Sequence, residues 1–112
     1  MADIRTAGLR TVRDQLGLSQ ESLSRALDVS ARSVERWEAA GGTSTSADVA
    51  RRLALVSEIA ALADEVYGDD VATFMATPRR SLGQRTPREA MTHGDLEDVR
   101  QVLINTLDGH WS

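Results

Sequence analysis

Apolar residues recur at three- and four-residue intervals almost from end to end of this chain, and the period-two alternation of a half-buried strand takes over nowhere. The pattern predicts an all-α fold of about seven helices. Over residues 3–16, Leu9, Val12 and Leu16 make one stripe, with Arg5, Arg10, Arg13 and Asp14 read as the outward face, and Gly17 ends the helix. Leu23 and Leu27 lie four apart on a second helix. Val29 falls in a tight turn, and Val34 and Trp37 lie three apart on a third helix from about Ala31 to Ala40. A long helix then reaches about Tyr67 and stops at Gly68, with Thr45 and Asp48 spaced as a capping box at its start. Its apolar positions form two stripes, one through Val49, Leu53, Val56, Ala60, Ala63 and Tyr67 and one through Leu55, Ile59, Leu62 and Val66, so both faces need cover.

Beyond it, Asp69 or Asp70 opens a short helix through Met75, with Val71, Phe74 and Met75 as its buried residues, and Pro78 ends that element. The stretch Arg79–Arg85 reads as irregular and cationic. Thr86-Pro87-Arg88-Glu89 combines a hydroxyl cap, proline at the first helical position and a glutamate able to reach back, and this helix ends at His93-Gly94. Asp95 is read as the cap of a last helix bearing Leu96, Val99, Leu103 and Leu107, closed by Gly109.

The segment from Leu18 to Glu38 reads as two short helices joined by a tight turn, a helix-turn-helix. Ser24 is small where the two helices cross. Ser19 and Ser30 each precede a helical run, where a hydroxyl can accept from an orphan N–H. Asp28 occupies the turn position that usually holds glycine, and aspartate is one of the few residues that tolerate a left-handed backbone. Gly41-Gly42 and the polar Thr43–Ser46 divide the chain into residues 1–42, the reading head, and residues 43–112, a helical second segment.

With Val34 and Trp37 turned to the core, Arg32, Ser33 and Arg36 project from the opposite side of the same helix, toward a major groove. Arg36 is the expected base reader, since arginine can bridge O6 and N7 of guanine, while Ser19 and Gln20 suit a backbone phosphate. The second stripe of the long helix makes Leu55, Ile59 and Leu62 the candidate contacts of a homodimer, whose two heads about 34 Å apart would fit a palindromic site.

Charge qualifies that picture. The net charge is −4; residues 1–42 hold six arginines against six acids, and residues 43–112 hold seven against eleven. A nucleic-acid binder ordinarily carries a basic footprint, so binding to operator DNA is expected to be weak per protomer and to depend on dimers or a partner. All 13 basic residues are arginine. With 112 residues, 41% hydrophobic content and no cysteine, the chain can bury one ordinary core without a disulfide, and a reducing, cytoplasmic setting is expected with neither a leader nor a membrane segment. The two histidines, 17 residues apart and without cysteine or paired acids at ligand spacing, suggest a helix C-cap at His93 and a tail residue at His110. With no phosphate loop or triad either, neither a metal nor a cofactor is expected, and the chain does not read as an enzyme.

The run Phe74-Met75-Ala76-Thr77-Pro78-Arg79-Arg80-Ser81-Leu82-Gly83-Gln84-Arg85-Thr86-Pro87-Arg88-Glu89-Ala90-Met91, followed by Gly94, Val99, Leu103 and Gly109, resembles the C-terminal domain of Xre/MbcA/ParS-type antitoxins. With the preceding Xre-like helix-turn-helix, the resemblance covers nearly the full chain. Arg79 stands where the family often has asparagine, and Gln84 where a second glycine is usual. The resemblance implies a type II antitoxin whose residues 43–112 dimerise and bind a RES-domain toxin that consumes NAD⁺, with autorepression of its operon through the helix-turn-helix as a second role. On that reading Arg79, Arg80 and Arg85 meet the toxin's rim, and His110, Trp111 and the Ser112 carboxylate plug its NAD⁺ pocket. The residues alone support a small dimeric repressor without a toxin partner, and the neutral head also allows a third reading, a scaffold for protein contacts without DNA affinity.

Overall fold

The computed structural model describes residues 7–40 and 46–109. Arg5, the Gly41–Thr45 connector and His110-Trp111-Ser112 lie outside them. The described residues form seven α-helices: α1 (Ala7–Leu16), α2 (Gln20–Leu27), α3 (Ala31–Ala40), α4 (Ala47–Tyr67), α5 (Val71–Met75), α6 (Pro87–Thr92) and α7 (Leu96–Leu107), with single 3₁₀ turns at Gly68–Asp70 and Arg80–Leu82. The expected all-α class and helix order are what the chain adopts.

Local chemistry fixes the ends of the first helices. The Ser19 hydroxyl accepts from Ser22 N–H at 3.0 Å and that of Ser30 from Ser33 N–H at 3.1 Å, which starts α2 and α3. Asp28 ends α2 in the left-handed region (φ 61°, ψ 47°), and its N–H turns back to the carbonyls of Arg25 and Ser24. Ser24 is buried where α2 meets the core, and its hydroxyl donates to Glu21 C=O at 2.6 Å, so it brings no unsatisfied group inside.

The core is one cluster rather than two. Leu9, Leu23, Leu27 and Val34 of the head belong to the same buried set as Val56, Phe74, Met91 and Leu103. Helix α4 is the spine: α1 and α2 lie against it, and α7 runs beside it in the same direction, with Arg52 near Gly94 at one end and Arg100 bonded to Glu58 at 2.8 Å further along. Helix α6 packs on α2, so the second segment closes over the head.

Several expectations are corrected. Arg13 does not face outward: its side chain is only 16% exposed and ion-paired. Ile59 is fully buried in the chain's own core and cannot serve a dimer contact, whereas Leu55 and Leu62 are half-buried. Within the second stripe only Ile59 is fully buried, while Leu55, Leu62 and Val66 are half-buried. Helix α4 is capped by Ser46, whose hydroxyl accepts from Val49 N–H at 3.4 Å; Asp48 is drawn instead to Arg51 (2.6 Å) and Arg52 (3.0 Å). These two guanidiniums, Arg52 foremost, hold the Asp48 carboxyl below its ordinary range. Asp70 makes no cap bond at α5 and Asp95 makes none at α7.

Candidate functional site

Two surfaces carry the chain's unspent polar chemistry: the outward side of the helix-turn-helix, and the loop from Thr77 to Thr86 with the helix it feeds.

On the head, a network ties three helices together. Arg13 of α1 donates through Nε to Glu38 Oε2 at 2.7 Å and through Nη2 to Oε1 at 3.0 Å, while Nη1 reaches the Leu18 carbonyl at 3.1 Å. Gln20, the first residue of α2, donates its amide to the same Glu38 Oε1 at 3.0 Å. The fork-on-carboxylate arrangement is geometrically specific as well as strong. Burial pushes the Glu38 carboxyl up, but the bonds from Arg13 and Gln20 outweigh it and leave the group below its ordinary range; the same bond raises Arg13. The charged pair Arg13–Glu38, 25 residues apart in sequence, therefore ties α1 to the end of α3, and the Gln20 amide ties the α2 start to the same carboxylate. An open cleft of about 620 Å³ lies beside it, lined by Arg10, Ser19, Gln20, Glu35 and Glu38 among others.

The expected DNA contacts fall into two groups. Arg32 and Arg36 are exposed on α3, with no acid of the described residues within ion-pair distance, and Ser33 is half-exposed with its hydroxyl 3.0 Å from that of Ser30. Arg32 and Arg36 lie on the side of α3 away from buried Val34 and Trp37, whereas Ser33, one turn before Trp37, lies on the flank of the helix. Ser19 is exposed but already works as a cap, and the Gln20 amide is held by Glu38, so the start of α2 offers less to a phosphate than its residue types suggest. The other described cations of the head are engaged: Arg10 with Asp14 (3.9 Å), Arg25 with Glu21 (3.6 Å) and Arg13 with Glu38.

The loop is shaped, not loose. Tyr67 and Phe74 stack with ring centroids 4.7 Å apart, and the Arg79 guanidinium lies 5.3 Å from the Phe74 centroid, a cation–π contact that extends the stack. Arg79 and Arg85 face each other across an isolated antiparallel bridge, Arg79 N–H to Arg85 C=O at 3.0 Å. Leu82 sits buried at the centre of the turn between them. Gly83 and Gln84 both have φ of 69°; for Gly83 that is free of strain, while Gln84 carries a Cβ into a region costing about 1–2 kcal/mol. Arg85 pairs with Asp95 at 2.7 Å, which is why Asp95 is not a cap, and donates to Leu82 C=O at 2.9 Å.

Of the three arginines expected to meet a partner, two thus have structural work inside the chain and Arg80 alone is fully exposed. The expected capping box is complete: Glu89 N–H donates to Thr86 Oγ1 at 3.0 Å, and Thr86 N–H donates to Glu89 Oε1 at 2.8 Å. The latter bond holds the Glu89 carboxyl below its ordinary range. His93 is the C-cap of α6, its Nδ1 2.8 Å from Glu89 C=O. At the far end of α7, Leu107 is 45% exposed, a large apolar residue left uncovered where the described chain stops. The expected contacts His110, Trp111 and Ser112 lie outside the described residues.

Sequence reasoning missed the Arg13–Glu38–Gln20 network and the Tyr67–Phe74–Arg79 stack. The first had a signal: Arg13 stands four after Leu9 and three before Leu16, inside the apolar stripe of α1. Among the described residues no group of three histidines, cysteines or acids is placed to hold a metal ion, and no helix is long and apolar enough to cross a membrane.

Residues 9–56 match the helix-turn-helix family and so form such a domain. Across 96 residues the chain is 28% identical to the mycobacterial cidal antitoxin MbcA of Mycobacterium tuberculosis and of Mycobacterium bovis, over 86% of this chain and 85% of those proteins. Among solved structures it superposes on a chain of the Mycobacterium tuberculosis MbcT–MbcA toxin–antitoxin complex with a TM-score of 0.70 at 24% identity, covering 99% of this chain and all of that one, a likeness of fold.

Proposed function

We propose that this chain, a helix-turn-helix protein resembling the MbcA antitoxins along most of its length, is the antitoxin of a toxin–antitoxin pair and neutralises its toxin by direct binding. The observation that carries this is that the likeness spans both segments, including the loop and α6–α7, which a plain repressor does not need. In this reading the chain is a binding protein, not an enzyme, and its partner is a RES-domain toxin that consumes NAD⁺. Arg80 steers association from the exposed crest of the loop, where rim charges act on the rate of encounter, while Arg79 and Arg85 hold the loop in shape. The segment His110-Trp111-Ser112 covers the toxin's NAD⁺ pocket, with the Trp111 ring in a flat slot. DNA binding through Arg32, Ser33 and Arg36 adds autorepression of the operon. Self-association through half-buried Leu55 and Leu62 pairs two heads.

Co-expression with the product of the neighbouring reading frame, followed by size-exclusion chromatography and a growth assay, tests this. Co-elution with restored growth is the expected result. Deleting His110–Ser112 should abolish protection with the melting temperature unchanged; full protection by the truncated chain excludes the plug. Binding of upstream DNA with no association with any neighbouring product would favour the runner-up, a dimeric repressor, for which the unpaired Arg32 and Arg36 are the supporting observation.

A further inference from the structure

The head is short of cations for DNA. Arg13 is fixed on Glu38, Arg10 and Arg25 are exposed and only loosely associated with Asp14 (3.9 Å) and Glu21 (3.6 Å), and Arg32 and Arg36, which have no described acid within ion-pair distance, both project from the base-reading side of α3. A helix-turn-helix also needs backbone contacts from the helix that crosses the phosphates, to fix its register on the duplex. Here that end of α2 has its side chains occupied: Ser19 caps, and Gln20 is held by Glu38.

The second segment supplies a cation at that place. Arg88 lies in the first turn of α6, and α6 packs on α2. A Cβ added to Gly17 would stand 3.3 Å from Arg88 Nη2, so the guanidinium rests against the α1–α2 turn, two residues before the Ser19 cap. Arg88 is exposed, and no described acid lies within ion-pair distance of it; of the acids flanking that turn, Asp14 is associated with Arg10 (3.9 Å) and Arg13 (3.8 Å) and Glu21 with Arg25 (3.6 Å). Its backbone is held on both sides, by the capping box before it and by the Thr92 hydroxyl, which donates to Arg88 C=O at 2.8 Å. With the helix fixed beside the α2 start, only the rotamers of the Arg88 side chain itself remain to be ordered on meeting a phosphate.

The geometry points to Arg88 as a phosphate-contacting residue of the DNA interface, contributed to the head by the second segment. This rests on the DNA-binding part of the function proposed above and extends it: the interface is not confined to residues 9–56, and the helix that follows the Arg79–Arg85 loop is part of it.

The test uses the full-length chain, Arg88→Ala and Arg36→Ala, with a duplex from upstream of the coding frame and a scrambled duplex of equal length, titrated across salt. Arg88→Ala should weaken both duplexes alike and lower the slope of log affinity against log salt by about 0.9, so that its deficit against wild type shrinks about 3.5-fold between about 50 and about 200 mM salt. Its melting temperature should match wild type. Arg36→Ala should instead lose preference for the upstream duplex. If Arg36→Ala is impaired while Arg88→Ala keeps wild-type affinity and slope, the inference is overturned and the DNA-binding reading stands. Loss of toxin capture by Arg88→Ala with DNA binding intact also overturns it, in favour of a protein contact. Absence of any DNA binding by wild type removes both.

Discussion

Removing the Arg13 guanidinium tests whether the reading head is held by its charged network or by its apolar seam alone. Arg13→Ala takes away two charge-assisted bonds to Glu38, of 2.7 and 3.0 Å, and the 3.1 Å bond that ties the Leu18 carbonyl into the α1–α2 turn. The Glu38 side chain is 7% exposed, so its carboxylate is left nearly buried with only the Gln20 amide for company. A fully buried pair broken this way costs about 3–5 kcal/mol, and bonds to charged groups contribute about 1.5–3 kcal/mol each. Because the cleft beside Glu38 admits water, the expected loss is about 2–3 kcal/mol, less than for a fully buried pair. For a domain of this size that is a fall in melting temperature of about 8–15 °C, read by circular dichroism or calorimetry.

Arg10→Ala is the internal control. It sits on the same helix, but its side chain is 70% exposed and its 3.9 Å contact with Asp14 is an exposed i,i+4 pair, so it should change stability by less than about 0.5 kcal/mol. The double variant Arg13→Met with Glu38→Met should recover part of the single-variant loss, since it leaves no buried charge unpaired. A melting temperature for Arg13→Ala within error of Arg10→Ala would refute the reasoning. So would a double variant as unstable as the sum of its parts, because coupled residues must depart from additivity.

Other outcomes follow from the same geometry. The Glu38 carboxyl is held below its ordinary range near 4.5, so the stability it gives is present above that range and lost as pH falls through the lowered folded value; Glu38→Gln should flatten this acid limb in thermal melts taken at successive pH values. Gln84→Gly should stabilise the chain by up to about 1 kcal/mol, since glycine takes a φ of 69° without strain, less the entropy it adds to the unfolded chain; an unchanged or lower melting temperature would count against strain at Gln84. Thr86→Ala removes the cap at the start of α6 and should cost about 1 kcal/mol, measurable by urea unfolding. Leu82→Ala should cost about 2–5 kcal/mol, because Leu82 is the buried plug of its loop, and should also weaken toxin capture if the loop's shape matters for binding.

What the sequence made legible was chemistry that acts over four residues or fewer. The caps at Ser19 and Ser30, the left-handed Asp28 and the complete box at Thr86 and Glu89 each depend on groups within one turn of helix, and each formed as its residue types predict. The errors arose where a local partner and a distant one competed. Asp95 stands where a cap is wanted, yet its carboxylate pairs with Arg85 ten residues back, since a full guanidinium at 2.7 Å outbids a first-turn N–H. Asp48 fails as half of a capping box for the same reason, with Arg51 and Arg52 one turn on. Arg13 is the most instructive. Charge alone put it on the surface, but its position in the α1 stripe puts it inside, and position prevailed because Glu38 waits there to neutralise it.

The same distinction bears on the stripe of α4 expected to meet a second copy, of which Ile59 is buried within the chain itself. Periodicity reports that a position on α4 faces something apolar; it cannot say whether that is a later helix of the same chain or another copy. Ile59 and Leu62 are three residues apart on one stripe, yet the first is fully buried and the second half-buried. On the function proposed above, changes in the Arg79–Arg85 loop, which holds the start of α7 through Arg85 and Asp95, should alter self-association as well as toxin binding.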